Sequence, residues 1–350
     1  MSLKLAMRQT ARRAPRLLGE STELVRRFVR SRQNPDGGFQ DRAGQSDLYY
    51  TVFGLDALAA LDLPCDAAAL ENFLRPFGDG HQLDFVHLTC LARCWSELPP
   101  GKIPRAALLE RLLTFRAHDG GFAPTPGAAH STAYACLLAG EAFQALEINP
   151  LELSKPWKIL ASVFPSLGKT FQGSEDSELG KQEIRNPGKS GTAVPAVNSN
   201  RSPTANLTSH IFHLTLQRFL ERFRSADGAF ANEPGYEFGA VPATAAAVAL
   251  LAEVGAPVPA ELAPWLLARC HARGGFCATP QTPMPDLLST ATALHALAAL
   301  GTPLDGIRES CLSFVDSLWD NTGGFHGHWA DDALDVEYTF YALLALGHLA

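Results

Sequence analysis

Apolar residues follow two alternating patterns along the chain, and each pattern predicts one kind of helix. Stretches such as 20–33 (ESTELVRRFVRSRQ) and 307–320 (IRESCLSFVDSLWD) have one apolar face and one polar face, which is typical of a helix with one side in water. Stretches such as 287–300 (LLSTATALHALAAL) are apolar nearly all round and are predicted to be buried on every side. Helices of the second kind therefore line an interior, and helices of the first kind surround them.

A glycine-rich loop that contains an aromatic residue separates the two kinds of helix and recurs along the chain. It reads DGGFQDRAGQSD from Asp36 and GGFHGHWADDALD from Gly323. The last three copies are about 45–50 residues apart, which is the length expected of a helix-pair repeat. The two longer gaps before them each contain a degenerate copy. The aromatic positions of the clear copies are Phe39, Phe122, Phe230, Phe276 and Phe325.

Each loop supplies residues suited to end one helix and to begin the next. Glycine readily takes the left-handed conformation found at helix ends, so the glycine pair is predicted to stop the outer helix. An aspartate before the inner helix is suited to accept hydrogen bonds from the free amide groups of its first turn. These aspartates are Asp47, Asp84, Asp286 and Asp335. Six inner helices look intact, and they start near Asp47, Asp84, His130, Val241, Asp286 and Asp335.

The repeats, with GGF, a polar loop, Asp-x-x-x-Thr and an Ala/Leu-rich helix, resemble those of the prenyltransferase and squalene-cyclase family. Residues 32–39 (RQNPDGGF) are also similar to the glutamine-and-aromatic motif of triterpene cyclases. In size and order the chain is similar to the β subunit of protein geranylgeranyl and farnesyl transferases. The resemblance covers most of the chain from about residue 20 to 350 and implies an all-α fold. That fold is an α/α toroid, a double ring of inner and outer helices.

A single toroid domain is therefore expected to use the whole chain, 1–350, with two departures. Residues 168–208 are rich in Gly, Ser, Asn, Pro and charge, and they predict a flexible low-complexity insertion. Residues 1–19 form a basic N-terminal helix or arm. A mitochondrial presequence and a helix touching anionic lipid are alternatives for this segment. We favour an outer helix with its arginines in water, because the segment runs into the first repeat without a cleavage-like break.

Composition and charge describe an ordinary globular protein. The 350 residues are 46% hydrophobic and 19% charged, with a net charge of −7. There is no secretory apolar region and no apolar run long enough to span a bilayer. We therefore expect a cytoplasmic protein with no nucleic-acid partner and no stable membrane insertion. Its seven cysteines include no CxxC pair, so we expect buried thiols rather than a disulfide framework.

The ring of apolar helices is predicted to enclose a central funnel. Aromatic side chains on these helices suit a long apolar molecule such as an isoprenoid. Packing between the two rings is the alternative for any one of these residues. Tyr338 and Tyr341 belong to the same aromatic set. The candidate substrate-binding residues are Tyr49, Tyr50, His87, Trp95, Tyr134 and Phe340.

The transferase resemblance implies a zinc site and a diphosphate site, and the chain departs from both. In the family, an Asp-x-Cys at the start of the penultimate inner helix and a His at the start of the last one hold zinc. The matching positions are Asp286, Leu288 and Tyr338, so only the aspartate is retained and no cofactor is supported. The positions of the family's diphosphate-binding cations are occupied by Ala240 and by 279–285 (TPQTPMP), which carry no positive charge.

The cyclase branch of the family implies a different chemistry for residues 335–339 (DVEYT). This segment resembles the protonating motif Asp-x-Asp-Asp-Thr, with Glu337 at the acid position. Burial would raise the pKa of such a carboxyl group, which could then donate a proton to an alkene. A solvated carboxylate in the first helical turn is the alternative. The candidate catalytic residues are Asp286, Asp335, Glu337 and Tyr338.

Two further groups of residues have the chemistry of metal ligands. His87, Cys90 and Cys94 share one helical face, although a single helix cannot easily surround a tetrahedral ion with three ligands. Packing at the lumen is the alternative that we favour. The last loop (HGHWADD) contains His326, His328, Asp331 and Asp332, for which loop polarity is the alternative to a metal site.

Three functions follow from these observations. The first is a β-subunit-like toroid of the geranylgeranyl transferase type, which binds an isoprenoid and transfers it to a protein thiol. Such enzymes need an α-helical partner subunit. The second is a non-catalytic toroid that binds an isoprenoid or acts as a scaffold and has lost the zinc and diphosphate sites. The third is a terpene cyclase-type enzyme.

Overall fold

A computed structural model describes residues 3–147 and 219–350, so the predicted insertion at 168–208 lies outside the described residues. The described part is mostly helical. In chain order its helices are α1 (Leu3–Ala11), α2 (Pro15–Leu18), α3 (Thr22–Ser31), α4 (Leu48–Ala60), α5 (Ala67–Leu74), α6 (Phe85–Trp95), α7 (Arg105–Leu113), α8 (Ala133–Ala145), α9 (Val241–Val254), α10 (Leu262–Leu267), α11 (Leu287–Ala299), α12 (Asp305–Asp316) and α13 (Val336–Leu349). The all-α prediction is confirmed.

Six of the described helices form a closed inner ring. Each of α4, α6, α8, α9, α11 and α13 packs against the next, and α13 returns to α4. Outer helices cover this ring from outside. Helix α3 lies against α4 and α13, α5 and α7 lie against α6, α10 lies against α11, and α12 lies against α13. The described helices therefore form the double ring of an α/α toroid.

Five of the six inner helices begin on a polar residue that caps them, and α9, which follows Ala240, has no side-chain cap. Asp47 accepts a hydrogen bond from the amide of Tyr50, and Asp335 accepts one from the amide of Tyr338. Asp84 and Asp286 make the equivalent contacts at α6 and α11. The predicted capping role of the four aspartates is confirmed.

A threonine one turn into the inner helix holds the aromatic residue of the loop. The amide of Phe276 donates to the hydroxyl of Thr290 at 2.9 Å, and the amide of Phe39 donates to Thr51 at 2.8 Å. The first loop also forms a short antiparallel pair, β1 (Phe39–Gln40) and β2 (Ser46–Asp47). These bonds satisfy buried amide groups, which explains why the motif has Asp-x-x-x-Thr at this spacing.

The predicted role of the loop glycines is wrong in one respect. Helix α3 ends at Ser31 and α12 ends at Asp316, several residues before their glycine pairs. The glycines instead allow close approach to the next outer helix. A Cβ atom on Gly323 would lie 2.3 Å from the carbonyl oxygen of Leu24 in α3, and the φ angle of Gly323 is +101°. This contact joins the last repeat to the first outer helix and so closes the outer ring.

The basic N-terminal segment packs on the inner ring. Helix α1 lies against α4 and α13, and Ala11 and Ala14 are fully buried. Gly347 of α13 permits this contact, because a Cβ atom there would lie 2.0 Å from the carbonyl oxygen of Thr10. The interpretation of this segment as an outer helix with its arginines in water agrees with the exposed Arg12, Arg13 and Arg16 but is wrong for Arg8, whose guanidinium group pairs with Asp56 and Glu97. Among the described helices, none has the length and apolar character needed to cross a membrane.

Candidate functional site

Two inner helices, α8 and α11, have a stripe of partly exposed residues beside buried ones. On α11, Leu288, Thr292 and His295 are partly exposed and are spaced by four and three residues. On α8, Tyr134 and Leu137 lie three residues apart, and Tyr134 is 43% exposed. Residues at these spacings share one face of a helix. Because the outer helices cover the opposite side, we infer that these stripes face the lumen of the ring.

Three tyrosines and one glutamate meet inside the ring and form what we call the central cluster, Tyr49, Tyr134, Glu337 and Tyr341. The hydroxyl of Tyr49 on α4 donates to Oε1 of Glu337 on α13 at 2.6 Å. Burial raises the pKa of Tyr341, and the nearby charges of Glu337 and Tyr134 raise it further. Helix α8 lies opposite α13 in the ring order. Side chains from opposite helices that act on one another must reach toward the centre of the ring.

Glu337 is the carboxyl group of this cluster and is only 9% exposed. Its pKa is raised to about 7, mainly by burial, with Asp335 also raising it while the hydrogen bond from Tyr49 and the charge of Arg42 lower it. Glu337 therefore changes its charge near neutral pH. At neutral pH such a carboxyl group can accept a proton or donate one.

Arg42 and two aspartates form the rim above the cluster, at the N-terminal ends of the inner helices. The guanidinium group of Arg42 donates to Asp335 at 2.9 Å and to Asp331 at 2.9 Å. It also lies 5.5 Å from the centre of the Tyr338 ring. Asp335 is 2% exposed, and burial raises its pKa although Arg42 lowers it. Arg42 lies in the first loop and belongs to no recognisable motif, so the sequence did not predict its role at the rim.

The three positions that match the family's zinc ligands lie together at this rim. Asp286 accepts hydrogen bonds from the amide and the hydroxyl of Ser289, both at 2.7 Å. Its charge acts on Tyr338, whose pKa burial raises to about 12. Leu288 has no donor atom, and the tyrosine hydroxyl stays protonated at neutral pH. These residues therefore do not fit a zinc ion.

His87 does not form a metal site with the two cysteines on its helix. Its Nδ1 lies 2.9 Å from Asp84 and its Nε2 lies 3.1 Å from Asp47, so both ring nitrogens are occupied. The hydrogen bond with Asp47 raises the pKa of His87 to about 9, against the effect of burial. Cys90 is buried, which raises its pKa to about 12. Within residues 3–147 and 219–350, no three His, Cys, Asp or Glu side chains are arranged to hold a metal ion.

The last loop uses its polar residues for internal contacts. Nδ1 of His326 lies 3.1 Å from the carbonyl oxygen of Ala333, and Asp331 binds Arg42. His328 accepts a hydrogen bond from the amide of Ala330. The structure does not bring these side chains together with Asp332 around one point.

The remaining candidate aromatics differ in the surface they offer. Tyr50 lies at the rim, and burial together with Asp335 and Glu337 raises its pKa to about 12. Phe340 is 2% exposed and Trp95 is 6% exposed, so both offer little surface to a ligand. Tyr134 is therefore better placed than Phe340 or Trp95 to contact a ligand.

The opposite end of the ring contains a network of ion pairs, which we call the floor network. Arg93 on α6 bridges Asp56 on α4 at 3.2 Å and Glu141 on α8 at 2.9 Å. Arg8 on α1 binds the same Asp56 at 2.5 Å and Glu97 at 3.0 Å. Sequence reasoning missed this network. The sequence did contain a signal, because Asp56, Arg93 and Glu141 are single charges in otherwise apolar helices. A charge of this kind needs a partner when it is buried.

Comparison with protein families gives one match. The model of the prenyltransferase alpha-alpha toroid domain matches residues 16–88, 203–270 and 244–349. These segments include the inner helices α4, α9, α11 and α13 and leave out α7, α8 and most of α6. Comparison with curated proteins finds no match.

Proposed function

Because this chain belongs to the prenyltransferase alpha-alpha toroid family, we propose that it binds a long apolar molecule of the isoprenoid type within its ring. We further propose that binding involves neither zinc nor a diphosphate group. The chain then acts as a carrier or a sensor of an apolar molecule, and prenyl transfer to a protein thiol is not its reaction.

The charge at the rim is the observation that carries this proposal. A diphosphate needs positive partners to offset its charge. At the rim, Asp331 and Asp335 already bind the guanidinium group of Arg42, and Asp286 and Glu337 add two carboxyl groups at the starts of α11 and α13. A diphosphate placed here would face an excess of negative charge, and its affinity would fall.

The apolar stripes support the other half of the proposal. Partly exposed Leu137 and Leu288 lie on inner helices, as do the tyrosine rings of Tyr134 and Tyr341. Contact with such side chains is favourable for a hydrocarbon chain, at about 25 cal/mol for each Å² of apolar surface removed from water. The lumen therefore suits an apolar chain better than it suits a charged end group.

Displacement of a fluorescent lipid by a prenyl alcohol of 20 carbons tests the proposal. We expect saturable binding, and we expect Tyr134→Ala to weaken it because Tyr134 is 43% exposed on α8. Tyr236→Ala is the matched control, since Tyr236 is 57% exposed on the loop before α9. Equal loss in both variants, or no saturable binding by the parent protein, would contradict a lumen site.

Metal analysis of the purified protein tests the second part of the proposal, that binding does not involve zinc. We expect no stoichiometric zinc, because Leu288 and Tyr338 replace the two other ligands of the family. One zinc ion per chain that survives dialysis, together with transfer of a prenyl group to a protein thiol, would establish the transferase alternative instead.

A further inference from the structure

We propose that the apolar ligand carries a primary or secondary amino group at one end, and that this ammonium group binds Glu337 in the central cluster. This inference rests on the proposed function and names the chemical class of its ligand. The polar end of the ligand then lies inside the ring below the rim, and its hydrocarbon chain follows the apolar stripes.

Glu337 differs from the other buried carboxylates of the inner ring, because it has no cationic partner. Asp56 pairs with Arg8 and Arg93, and Asp335 pairs with Arg42. Among the described residues, no lysine or arginine lies within ion-pair distance of Glu337, whose Oε1 accepts one hydrogen bond from Tyr49. A buried carboxylate without a cation is costly. A cationic ligand group would supply the missing charge.

The central cluster also has the right number of acceptors. A primary ammonium group has three N–H donors. The second carboxyl oxygen of Glu337 has no hydrogen-bond donor among the described residues, and the hydroxyl oxygens of Tyr134 and Tyr341 come from opposite sides of the ring. These oxygens are the acceptors that we assign to the ammonium group. The ring of Tyr341, which lies 5.4 Å from that of Phe53, adds an aromatic surface that favours a cation.

A ligand with a neutral or anionic end group gains less binding free energy from the central cluster. An alcohol has one donor and carries no charge, so it leaves the charge of Glu337 unpaired. A carboxylate or diphosphate is repelled by Glu337 and by Asp335, which lies at the start of the same helix. The cluster therefore selects by charge, whereas the apolar stripes select by chain length.

The preference for an amine should depend on pH. The groups that act on Glu337 are Tyr49 from α4, Asp335 from α13 and Arg42 from the first loop. Tyr134 from α8 and Tyr341 from α13 stay protonated, since burial raises the pKa of both. Glu337 loses its proton as the pH rises through about 7, while an alkyl ammonium group keeps its charge. The affinity for an amine should therefore rise between pH 6 and pH 8.

Calorimetric titration with three ligands of the same 20-carbon chain tests the inference. They end in a primary amine, an alcohol and a carboxylate. At pH 8 we expect the amine to bind about tenfold more tightly than the alcohol, as expected for a partly desolvated charge pair, and the carboxylate to bind most weakly. Glu337→Gln should remove the preference for the amine and keep the affinity for the alcohol. Glu309→Gln on the outer helix α12, where Glu309 is 84% exposed, is the control.

The outcomes separate the inference from the proposed function. If the alcohol binds as tightly as the amine, or if Glu337→Gln keeps the amine preference, the inference is overturned and the apolar site stands. If none of the three ligands binds to protein with a native circular dichroism spectrum, the proposed function fails as well. A carboxylate that binds best would overturn the inference directly.

Discussion

The two ends of the inner ring hold their buried charges in opposite ways. At the floor, Arg93 lies between Asp56 and Glu141, and Arg8 adds a second cation to Asp56. In the central cluster, Glu337 is 9% exposed and has a tyrosine partner but no ion-paired cation among the residues that the structure describes. The carboxylates of the floor are therefore paired with cations, and the carboxyl group of the central cluster is not.

This difference indicates separate roles for the two ends. The ion pairs of the floor join neighbouring helices, and their carboxylates already have cationic partners. A buried carboxylate without a cation lowers the stability of the empty protein and increases what a cationic ligand gains on binding. We therefore assign closure of the ring to the floor and recognition to the upper end.

The largest effect is expected from breaking the floor network. Arg93→Met leaves Asp56 with one cation and Glu141 with none, and removal of one member of a buried ion pair costs about 3–5 kcal/mol. Urea unfolding measures the change in the free energy of unfolding. Arg75→Ala is the control, because Arg75 pairs with Glu71 on the surface and is 71% exposed. A similar small change in both variants would show that the floor does not hold the ring together.

The second prediction is a gain in stability rather than a loss. The pKa of Glu337 is about 7 in the folded protein, above the usual 4.5 of a glutamate. Its stabilising contribution is present below pH 4.5 and is lost as the pH rises through 7. Glu337→Gln should therefore be more stable than the parent protein at pH 8, by on the order of 2–3 kcal/mol. Thermal unfolding at pH 5 and pH 8 checks this, and a variant less stable at pH 8 would refute the description of Glu337.

A smaller effect is expected at His87, which joins α6 to α4 at the rim. Its pKa is raised to about 9 by Asp47 and Asp84, so the stabilisation is complete below pH 6.5 and is lost as the pH rises through 9. Because His87 is 35% exposed, solvent screens the pairs, and His87→Gln should cost about 1 kcal/mol at pH 6. The difference between the two proteins should disappear above pH 9. A difference that does not change with pH would mean that packing, not charge, accounts for it.

The smallest effect is expected from removing one hydroxyl group of the central cluster. Tyr49→Phe removes the 2.6 Å hydrogen bond to Glu337 and keeps the contact of the ring with Phe53. The bond lowers the pKa of Glu337, so that pKa should rise in the variant. Titration of the carboxyl group by NMR measures it, and an unchanged value would place the hydroxyl group away from Glu337.

The repeat made the ring predictable from sequence, but not its charged ends. Asp286 and Asp335 cap their helices as their position in the repeat predicts, because capping is a local property. Arg42 reaches Asp335 only after the last repeat closes on the first, which no local pattern records. Asp56 and Arg93 were visible as single charges in apolar helices, yet their pairing depends on which helices become neighbours.

The hypotheses of a zinc site and of a catalytic acid show the same limit of prediction from sequence. Leu288 and Tyr338 already argued against zinc at the level of residue type, and the structure adds that Tyr338 keeps its proton. The burial of Glu337, and its lack of an ion-paired cation among the described residues, result from the packing of α13 against α4. The motif alone therefore could not predict the pKa of Glu337.

The affinity of the protein for a 20-carbon prenyl alcohol, compared with that for the diphosphate of the same chain, tests the central claim most directly. Both can be measured by calorimetry at physiological salt and without added metal. Because Arg42 is already paired with Asp331 and Asp335 at the rim, the alcohol should bind more tightly than the diphosphate. A diphosphate that binds more tightly, by tenfold or more, would contradict the proposed charge selection and restore the transferase hypothesis.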